Sequence, residues 1–371
     1  AELARNPISN LHFVYFTLPI WGGGWKWGQG AFQIHYYLWQ IVAYFVARKL
    51  HREIRFDMAH HVTFVKYSTP SFLSLLPIPF IFGPVGGGEV APKPFYRDFS
   101  RKAKIYEFLR DATRWLGEID PFTRMTVRRS AIAWATTTDT AKRLQAMGGT
   151  NVQVLSQVGL LPEEVAQLEQ FSVTEPVPLR FISIGRFLHW KGFHLGLQAF
   201  AQANLPPEAE YWIVGKGPEE VALYTLATDL GIAAQVKFFP EMPRTDLMHK
   251  LGTCLALVHP SLHDSGAFVC LEAMAAGRPV ICLDLGGPAV QVTEETGFKI
   301  ATTNPETAIA GMAAAMHRLA TEPELRSQLG TAGRKRVNEF FNWSTKGQFL
   351  SQVYETLRSH QRGTHADSSG S

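Results

Sequence analysis

The sequence predicts an α/β protein made of two doubly wound domains. The chain has 371 residues, more than one hydrophobic core usually organises. Its composition, 46% hydrophobic and 18% charged, is that of a folded protein. In both halves, short and almost continuously apolar segments alternate with segments of helical period. This alternation is typical of parallel strands covered by helices on both faces of a sheet.

The alternation is clearest in the second half of the chain. Apolar runs such as RFISIG, AEYWIVG, TCLALVHP and RPVICLD predict strands, and segments such as HLGLQAFAQA between them predict helices. We assign residues 179–341 to this C-terminal domain and residues 342–360 to a closing helix that begins at NWSTKGQF. Residues 361–371 are small and polar, which predicts a disordered tail.

The first half shows the same pattern less regularly. The runs LHFVYFTL, FDMAHHVTF, PIPFIFG and AIAWATTT predict strands, and long helices are expected near 30–53 and 100–129. A further helix is expected to begin with Asp139 as its N-cap. We assign residues 1–158 to an N-terminal domain. Residues 159–178 have mixed composition with two prolines near their end, which predicts an interdomain linker.

Charge and cysteine content exclude several classes of protein. The formal net charge of +4 is too small to indicate a nucleic-acid-binding protein. Cys254, Cys270 and Cys282 have no metal-ligand spacing, so we expect reduced core residues of a cytoplasmic protein. The longest apolar runs are too short to span a bilayer, and we find no signal peptide.

The stretch HPSLHDSGAFVCLEAMAAGRPVICLD carries the first candidate site. In an open α/β sheet, ligands bind at the carboxyl ends of the strands, and a helix that starts near Gly266 would offer free amides to a phosphate there. Asp264 and Glu272 are eight positions apart, about 12 Å of helical rise, which suits the two ends of a nucleotide sugar. Two acids at this spacing also arise by chance, and that alternative stays open.

The loop SIGRFLHWKG carries the second candidate site. Arg186 and Lys191 follow a strand that ends at Gly185, and two cations there could stabilise a departing diphosphate without a metal ion. We find no Asp-x-Asp pair near a strand end that would hold Mg²⁺. The alternative is a pair of solvated surface cations. The segment GKGPEE, which includes Gly215, is a weaker signal because such turns are common helix entries.

Taken together, these segments resemble the family-4 retaining glycosyltransferases of the GT-B fold, in which two Rossmann-like domains face a cleft. The matching features are GRFLHWKG, IVGKGPE and HDSGAFVCLEAMAAGRPVICLDLGG. The last of these resembles the family's Glu-x7-Glu motif, with Asp264 in place of the first Glu and Glu272 as the second. The resemblance is close over residues 180–300, and the final helix resembles one that crosses back to the first domain.

The resemblance implies metal-independent, retaining transfer of a sugar from a nucleotide-diphosphate sugar to an acceptor hydroxyl, with no cofactor. It implies that Arg186 and Lys191 hold the donor diphosphate, that Asp264 contacts donor-sugar hydroxyls and that Glu272 holds the ribose. Asp in place of Glu shortens the reach by one methylene. The other positions implied in donor binding are Gly185, Gly215, Phe239, Gly266, Ala267 and Phe268.

The first half departs from the family's pattern. FDMAHHVTF resembles the strand that carries an active-site His; we favour His61, with His60 and a purely structural role as the alternatives. The opening AELARNPISN indicates the end of a helix, so we expect the family's first strand or strands to be missing. Two alternative functions therefore stay open: a truncated, non-catalytic nucleotide-sugar-binding or scaffold protein, and a nucleotide-sugar epimerase or hydrolase on the same fold.

Residues 91–130 hold ten Lys or Arg against five acids, with aromatic residues between them. A basic, aromatic helix face can contact an anionic membrane surface and reach a lipid-linked acceptor. The alternative is a solvated helix face. We therefore expect a cytoplasmic protein with peripheral contact to the inner membrane face, whose partners are a nucleotide-sugar donor and a sugar or lipid-linked acceptor.

Overall fold

A computed structural model gives the structure of the protein. It describes residues 8–18, 28–62, 64, 66–171 and 178–368. The first residues of the chain, on which the expectation of missing strands rests, lie partly outside this range. The strand predicted at 11–18 is wrong, because these residues have no regular secondary structure. Phe16 instead stacks on Trp39, with ring centroids 4.7 Å apart, so the segment packs along a helix rather than a sheet edge.

The N-terminal half forms a four-stranded parallel sheet in the order β1-β2-β3-β4. Every residue of β3 and most of β2 are buried, as expected for strands covered on both faces. The strands are β1 (Ala59–His61), β2 (Phe80–Val85), β3 (Ile132–Ala135) and β4 (Val152–Val154).

The helices of this half are α1 (Gln29–Ile54), α2 (Arg101–Ile119), α3 (Pro121–Arg128) and α4 (Thr138–Ala146). The N-cap of α4 is Thr137 and not Asp139, as the sequence predicted. Thr137 is extended, and its hydroxyl accepts a hydrogen bond of 3.2 Å from the Thr140 amide. Asp139 lies in the first turn of the helix.

The C-terminal half forms a six-stranded parallel sheet in the order β10-β9-β8-β5-β6-β7. The chain winds outward from β5 in one direction and then from β8 in the other, so the topological switch point lies between these two strands. The strands are β5 (Arg180–Ile184), β6 (Glu210–Val214), β7 (Val236–Phe239), β8 (Ala256–His259), β9 (Val280–Leu283) and β10 (Gly297–Ile300).

Helices pack against this sheet, and the nearby Cys254, Cys270 and Cys282 are buried and form no disulfide. The helices of this half are α5 (Pro162–Leu168), α6 (Phe193–Gln202), α7 (Glu220–Asp229), α8 (Arg244–Gly252), α9 (Phe268–Ala275), α10 (Gly286–Gln291), α11 (Pro305–Thr321) and α12 (Pro323–Arg336). The predicted α/β class with two doubly wound, Rossmann-like domains is confirmed.

Both segments that join the domains contain helices. The predicted linker, 159–178, contains α5, whose Val165 and Leu168 are buried in the same core cluster as α9. The final helix, α13 (Trp343–Ser368), runs into the predicted tail, where no proline ends it. Its apolar residues pack against Ile81 and Trp134 of the first sheet, so this helix does cross back to the N-terminal domain.

Candidate functional site

The switch point brings together the two loops that the sequence singled out. Strands β5 and β8 pair side by side, so the loops that follow them leave from the same edge of the sheet. The Leu262 amide donates a hydrogen bond of 2.7 Å to the Trp190 carbonyl, which ties one loop to the other. This contact places the cation of Lys191 next to the carboxylate of Asp264.

Asp264 uses both of its oxygens. Lys191 Nζ donates a hydrogen bond to Asp264 Oδ2, and His259 Nε2 lies 3.3 Å from the same oxygen. Oδ1 accepts hydrogen bonds from the amides of Gly266, at 3.2 Å, and Ala267, at 3.1 Å. Burial alone would raise the pKa of Asp264, but the hydrogen bond of His259 and the charge of Lys191 hold it well below its usual range. Asp264 is therefore an ionised centre that organises the site.

The sequence predicted a helix that starts near Gly266, between the two acids, with free amides at its start. Helix α9 instead begins at Phe268, so Asp264 lies four residues before it and Glu272 within it. A short Asp side chain can fold back onto nearby amides, and this local contact replaces the free helix start. The amides of Gly266 and Ala267, predicted to bind phosphate, are occupied by Asp264 in this structure.

The loops after β5, β6 and β7 pack closely against one another. The Gly185 amide donates to the Val214 carbonyl and the Gly215 amide to the Phe239 carbonyl, each at 3.0 Å. Gly215 has φ +144°, and a Cβ at this position would collide with the Gly185 carbonyl. The structure thus brings Gly185, Gly215 and Phe239 together. Beside them, the side chain of Arg186 is exposed and forms no ion pair with a described residue.

Glu272 is buried, and its partner is a residue that the sequence analysis missed. Arg244, the first residue of α8, donates to Glu272 Oε1 from Nε at 3.1 Å and from Nη2 at 2.8 Å, and it also pairs with Glu164. Burial raises the pKa of Glu272, and the hydrogen bond with Arg244 opposes that rise. A single Arg at a helix start has no sequence motif that would have identified it.

The two neighbouring histidines of β1 lie on opposite sides of the strand. The ring of His61 is buried, and its Nε2 lies 3.4 Å from the hydroxyl oxygen of Tyr36 in α1. His60 donates from Nε2 to the Gly83 carbonyl and accepts at Nδ1 from the Tyr354 hydroxyl of α13, both at 2.6 Å. His60, rather than the favoured His61, lines a cavity of about 460 Å³ between the first sheet and α13.

The glycine-rich segment FGPVGGGE contacts the candidate site from the other domain. The buried Glu89 accepts a hydrogen bond of 2.7 Å from the Ser265 hydroxyl and one of 3.1 Å from the Gly87 amide. Its other oxygen accepts from the Thr137 hydroxyl at 2.7 Å. Because Ser265 directly follows Asp264, Glu89 fixes this edge of the N-terminal domain against the candidate site. The sequence analysis assigned no role to Glu89.

Within the described ranges, no group of three or more His, Cys, Asp and Glu side chains is arranged to hold a metal ion. Arg186 and Lys191 supply positive charge in the loop that follows β5.

Comparison with known sequences finds relatives of the C-terminal domain. Residues 167–336 match the family model described as "Glycosyl transferases group 1". The matched residues include all six strands of the C-terminal sheet. Glycogen synthase of Mycobacterium tuberculosis is 27% identical over 187 residues, 50% of this chain and 44% of that protein. D-inositol 3-phosphate glycosyltransferase of Streptomyces avermitilis is 33% identical over 142 residues, 38% of this chain and 30% of that protein. The chain thus spans less than half the length of these relatives.

Solved structures resemble both domains. Sucrose-phosphate synthase from Thermosynechococcus elongatus superposes with a TM-score of 0.58 at 20% identity, over 89% of this chain and 78% of that one. The Anabaena protein HepE, in complex with UDP and glucose, superposes with a TM-score of 0.55 at 18% identity, over 84% of this chain and 81% of that one. The two-domain architecture is therefore the GT-B fold.

Proposed function

We propose that this chain is a family-4 retaining glycosyltransferase that moves a sugar from a nucleotide-diphosphate sugar to an acceptor hydroxyl without a metal ion. The observation that carries the proposal is the convergence of Lys191, Asp264 and the start of α9 at the switch point, inside the segment that matches the family model. A crevice at this point of a doubly wound sheet is where ligands bind.

In this proposal, Arg186 and Lys191 hold the donor diphosphate and stabilise the negative charge that grows on it. The bond between the anomeric carbon and the phosphate oxygen breaks while the acceptor oxygen bonds to the same face of the sugar. The acceptor proton passes to the leaving phosphate, so no separate base is needed. The donor diphosphate competes with Asp264 for Lys191, and Asp264 then turns one oxygen to the sugar hydroxyls.

The relatives suggest which nucleotide to test first. HepE binds UDP and glucose, and the matching relatives are named as sugar transferases or synthases. We infer a UDP-linked hexose as the first donor to examine. Glu272 and the backbone near Phe239 are the positions we propose for the ribose and the base. His61 stays a predicted active-site residue.

Product analysis tests the proposal directly. The chain is incubated with UDP-glucose, a panel of sugar acceptors and a chelator, and the anomeric configuration of the product is read by NMR. We expect an α-linked product, lost in Lys191→Ala but not in Lys299→Ala, a control with a lysine at the end of β10. Glucose or an isomerised nucleotide sugar formed without acceptor would favour the hydrolase or epimerase alternative, and a β-linked product would contradict retention.

We also propose that the acceptor is approached from an anionic lipid surface, on which α2 docks. One face of α2 is apolar and exposed: the exposed fraction is 70% for Phe108 and 58% for Trp115. At 100° per residue the apolar positions fill an arc of about 120°. The exposed apolar residues of this face are Ile105, Phe108, Leu109, Trp115, Leu116 and Ile119.

The charges around this face match an anionic surface. Lys102 and Lys104 flank the apolar arc on either side, and Arg101 lies at its N-terminal end. All three are exposed and form no ion pair within the described part of the chain. None of the helices that the structure describes is long and apolar enough to cross a bilayer. A helix of this kind lies in the interface plane.

Vesicle binding tests the docking surface. We expect the chain to sediment with vesicles that contain phosphatidylglycerol but not with pure phosphatidylcholine vesicles, and Phe108→Ser to weaken this binding severalfold. Val221→Ser is the matched control, because Val221 is 78% exposed on α7 and outside the surface. Equal loss in both variants, or equal binding to both kinds of vesicle, would contradict the assignment.

A further inference from the structure

Helix α2 carries a buried carboxylate on the face opposite its exposed apolar face. The side chain of Glu107 is fully buried, and its Oε1 accepts hydrogen bonds from His189 Nε2 at 2.9 Å and from His263 Nε2 at 3.1 Å. Arg110, one turn along the helix, lies 3.5 Å from Oε2. Glu107 belongs to the N-terminal domain and both histidines to the C-terminal domain.

The two histidines lie in the loops that form the candidate site. His189 lies between Arg186 and Lys191 in the loop after β5, and His263 directly precedes Asp264 in the loop after β8. One carboxylate oxygen therefore holds both loops of the switch point at once. No local sequence pattern predicts this contact, because the residues are 82 and 156 positions apart.

Aromatic stacking reinforces the same contact. Tyr106 of α2 stacks on Trp190, with ring centroids 5.3 Å apart and planes at 10°. Trp190 stacks in turn on His263, at 5.2 Å and 18°. The ring of Trp190 is thus enclosed between α2 and the loop after β8, and it lies next to Lys191 in the chain.

A buried carboxylate is costly unless hydrogen-bond donors surround it. Burial raises the pKa of Glu107, but the hydrogen bonds from His189 and His263 lower it well below its usual range. Burial lowers the pKa of His263, so its ring donates as a neutral Nε2–H. An ionised Glu107 is therefore stabilised when both loops are in place, and the two loops gain a shared contact to α2 in addition to the contacts between them.

We propose that Glu107 is a positioning residue: by bridging His189 and His263 it holds the loops of Arg186, Lys191 and Asp264 in their donor-binding arrangement. The proposal rests on the proposed function for its consequence in donor binding.

Three measurements test this role in Glu107→Ala and Glu107→Gln, with Asp111→Asn as the control. Asp111 is on the same helix, is 45% exposed and contacts Arg114 rather than the second domain. Backbone hydrogen exchange, measured without nucleotide, reports on the amides of Lys191 and Leu262, which bond within and between the two loops. Calorimetry with UDP and steady-state kinetics with UDP-glucose report on donor binding.

For Glu107→Ala we expect faster exchange in residues 186–191 and 261–264, and an increase of about tenfold in both the UDP dissociation constant and the KM for UDP-glucose. The acceptor KM stays unchanged, and Glu107→Gln, which keeps one acceptor oxygen, recovers part of the loss. Exchange equal to that of wild type would overturn the proposal. So would unchanged UDP affinity in Glu107→Ala.

These readouts separate this proposal from the proposed function. If wild type binds none of the nucleotides, the proposed function fails, while the exchange measurement still decides whether Glu107 holds the loops. A second outcome would also be decisive: wild type binds UDP, but Glu107→Ala and Asp111→Asn lose UDP affinity to the same extent, in proportion to a loss of stability that both share. Glu107 would then have no positioning role.

Discussion

Replacing Asp264 with asparagine should lower the stability of the chain and strengthen its binding of a nucleoside diphosphate. In the structure, Asp264 holds Lys191 and two amides at the place where the donor diphosphate is proposed to bind. Asparagine keeps an oxygen that can accept from the amides of Gly266 and Ala267, but it carries no charge to pair with Lys191. The two effects therefore have opposite signs.

Their magnitudes follow from the geometry. Removing one partner of a buried ion pair costs about 3–5 kcal/mol. The side chains of Lys191 and Asp264 are 20% and 16% exposed, and solvent weakens such a pair, so we expect a smaller cost of about 2–3 kcal/mol. A phosphate charge about 6 Å from the carboxylate is repelled by ~3 kcal/mol at an effective dielectric constant of about 20. Relief of part of this repulsion should lower the UDP dissociation constant about tenfold.

Urea denaturation measures the first effect and isothermal titration calorimetry with UDP the second. Asp284→Asn is the control, because Asp284 follows the neighbouring strand, is 54% exposed and lies 3.7 Å from Lys299. We expect this control to change stability by less than about 1 kcal/mol and UDP affinity hardly at all. Weaker UDP binding in Asp264→Asn would refute the reasoning, because it would show that the carboxylate assists the diphosphate instead of competing with it.

Two further substitutions test the surroundings of the site. Burial lowers the pKa of Lys346 to about 8 in the folded state, so the unfolded chain, with a lysine pKa of about 10.4, binds more protons between these values. The free energy of unfolding of wild type, measured with urea, should therefore rise relative to that of Lys346→Met as the pH increases from about 8 to about 10.4. A difference between the two proteins that does not change over this pH range would contradict the lowered pKa of Lys346. Gly192→Ala should lower the stability to thermal unfolding by about 2 kcal/mol more than Gly231→Ala. Both glycines have positive φ, but only a Cβ at position 192 collides with the Pro260 carbonyl. Equal losses of stability would show that the loop moves to accommodate the Cβ.

The buried parallel strands of the C-terminal half could be predicted from the sequence, and so could the position of Lys191 and Asp264 in loops that follow two of them. Almost continuous apolar runs identify buried parallel strands, and residues that follow strands on either side of a switch point must lie close together. The N-cap of α4 was less certain, because TTTD offers several residues that cap helices well. Thr137 caps the helix because it is the one whose backbone is extended at the helix start.

The partners of the candidate residues could not be predicted. Arg244 reaches Glu272 across 28 positions, and His263 reaches Glu107 across 156, so both contacts depend on how helices are placed and not on a local pattern. The start of α9 was predicted near Gly266, two residues before the helix begins, because its apolar period gives no sign of its first residue. Asp264 precedes the helix. The Asp264 side chain accepts hydrogen bonds from amides of its own loop because it is short enough to reach them.

The central claim is that the switch point of the C-terminal sheet binds a nucleotide sugar. Thermal-shift titration with UDP, GDP and ADP and their sugar conjugates tests it most directly, because a ligand that binds only the folded state raises the melting temperature by mass action. The account predicts a selective rise with one nucleotide that is lost in Arg186→Ala and kept in Arg318→Ala, a control with an exposed arginine on α11. A folded wild-type chain whose melting temperature no nucleotide raises would contradict the claim.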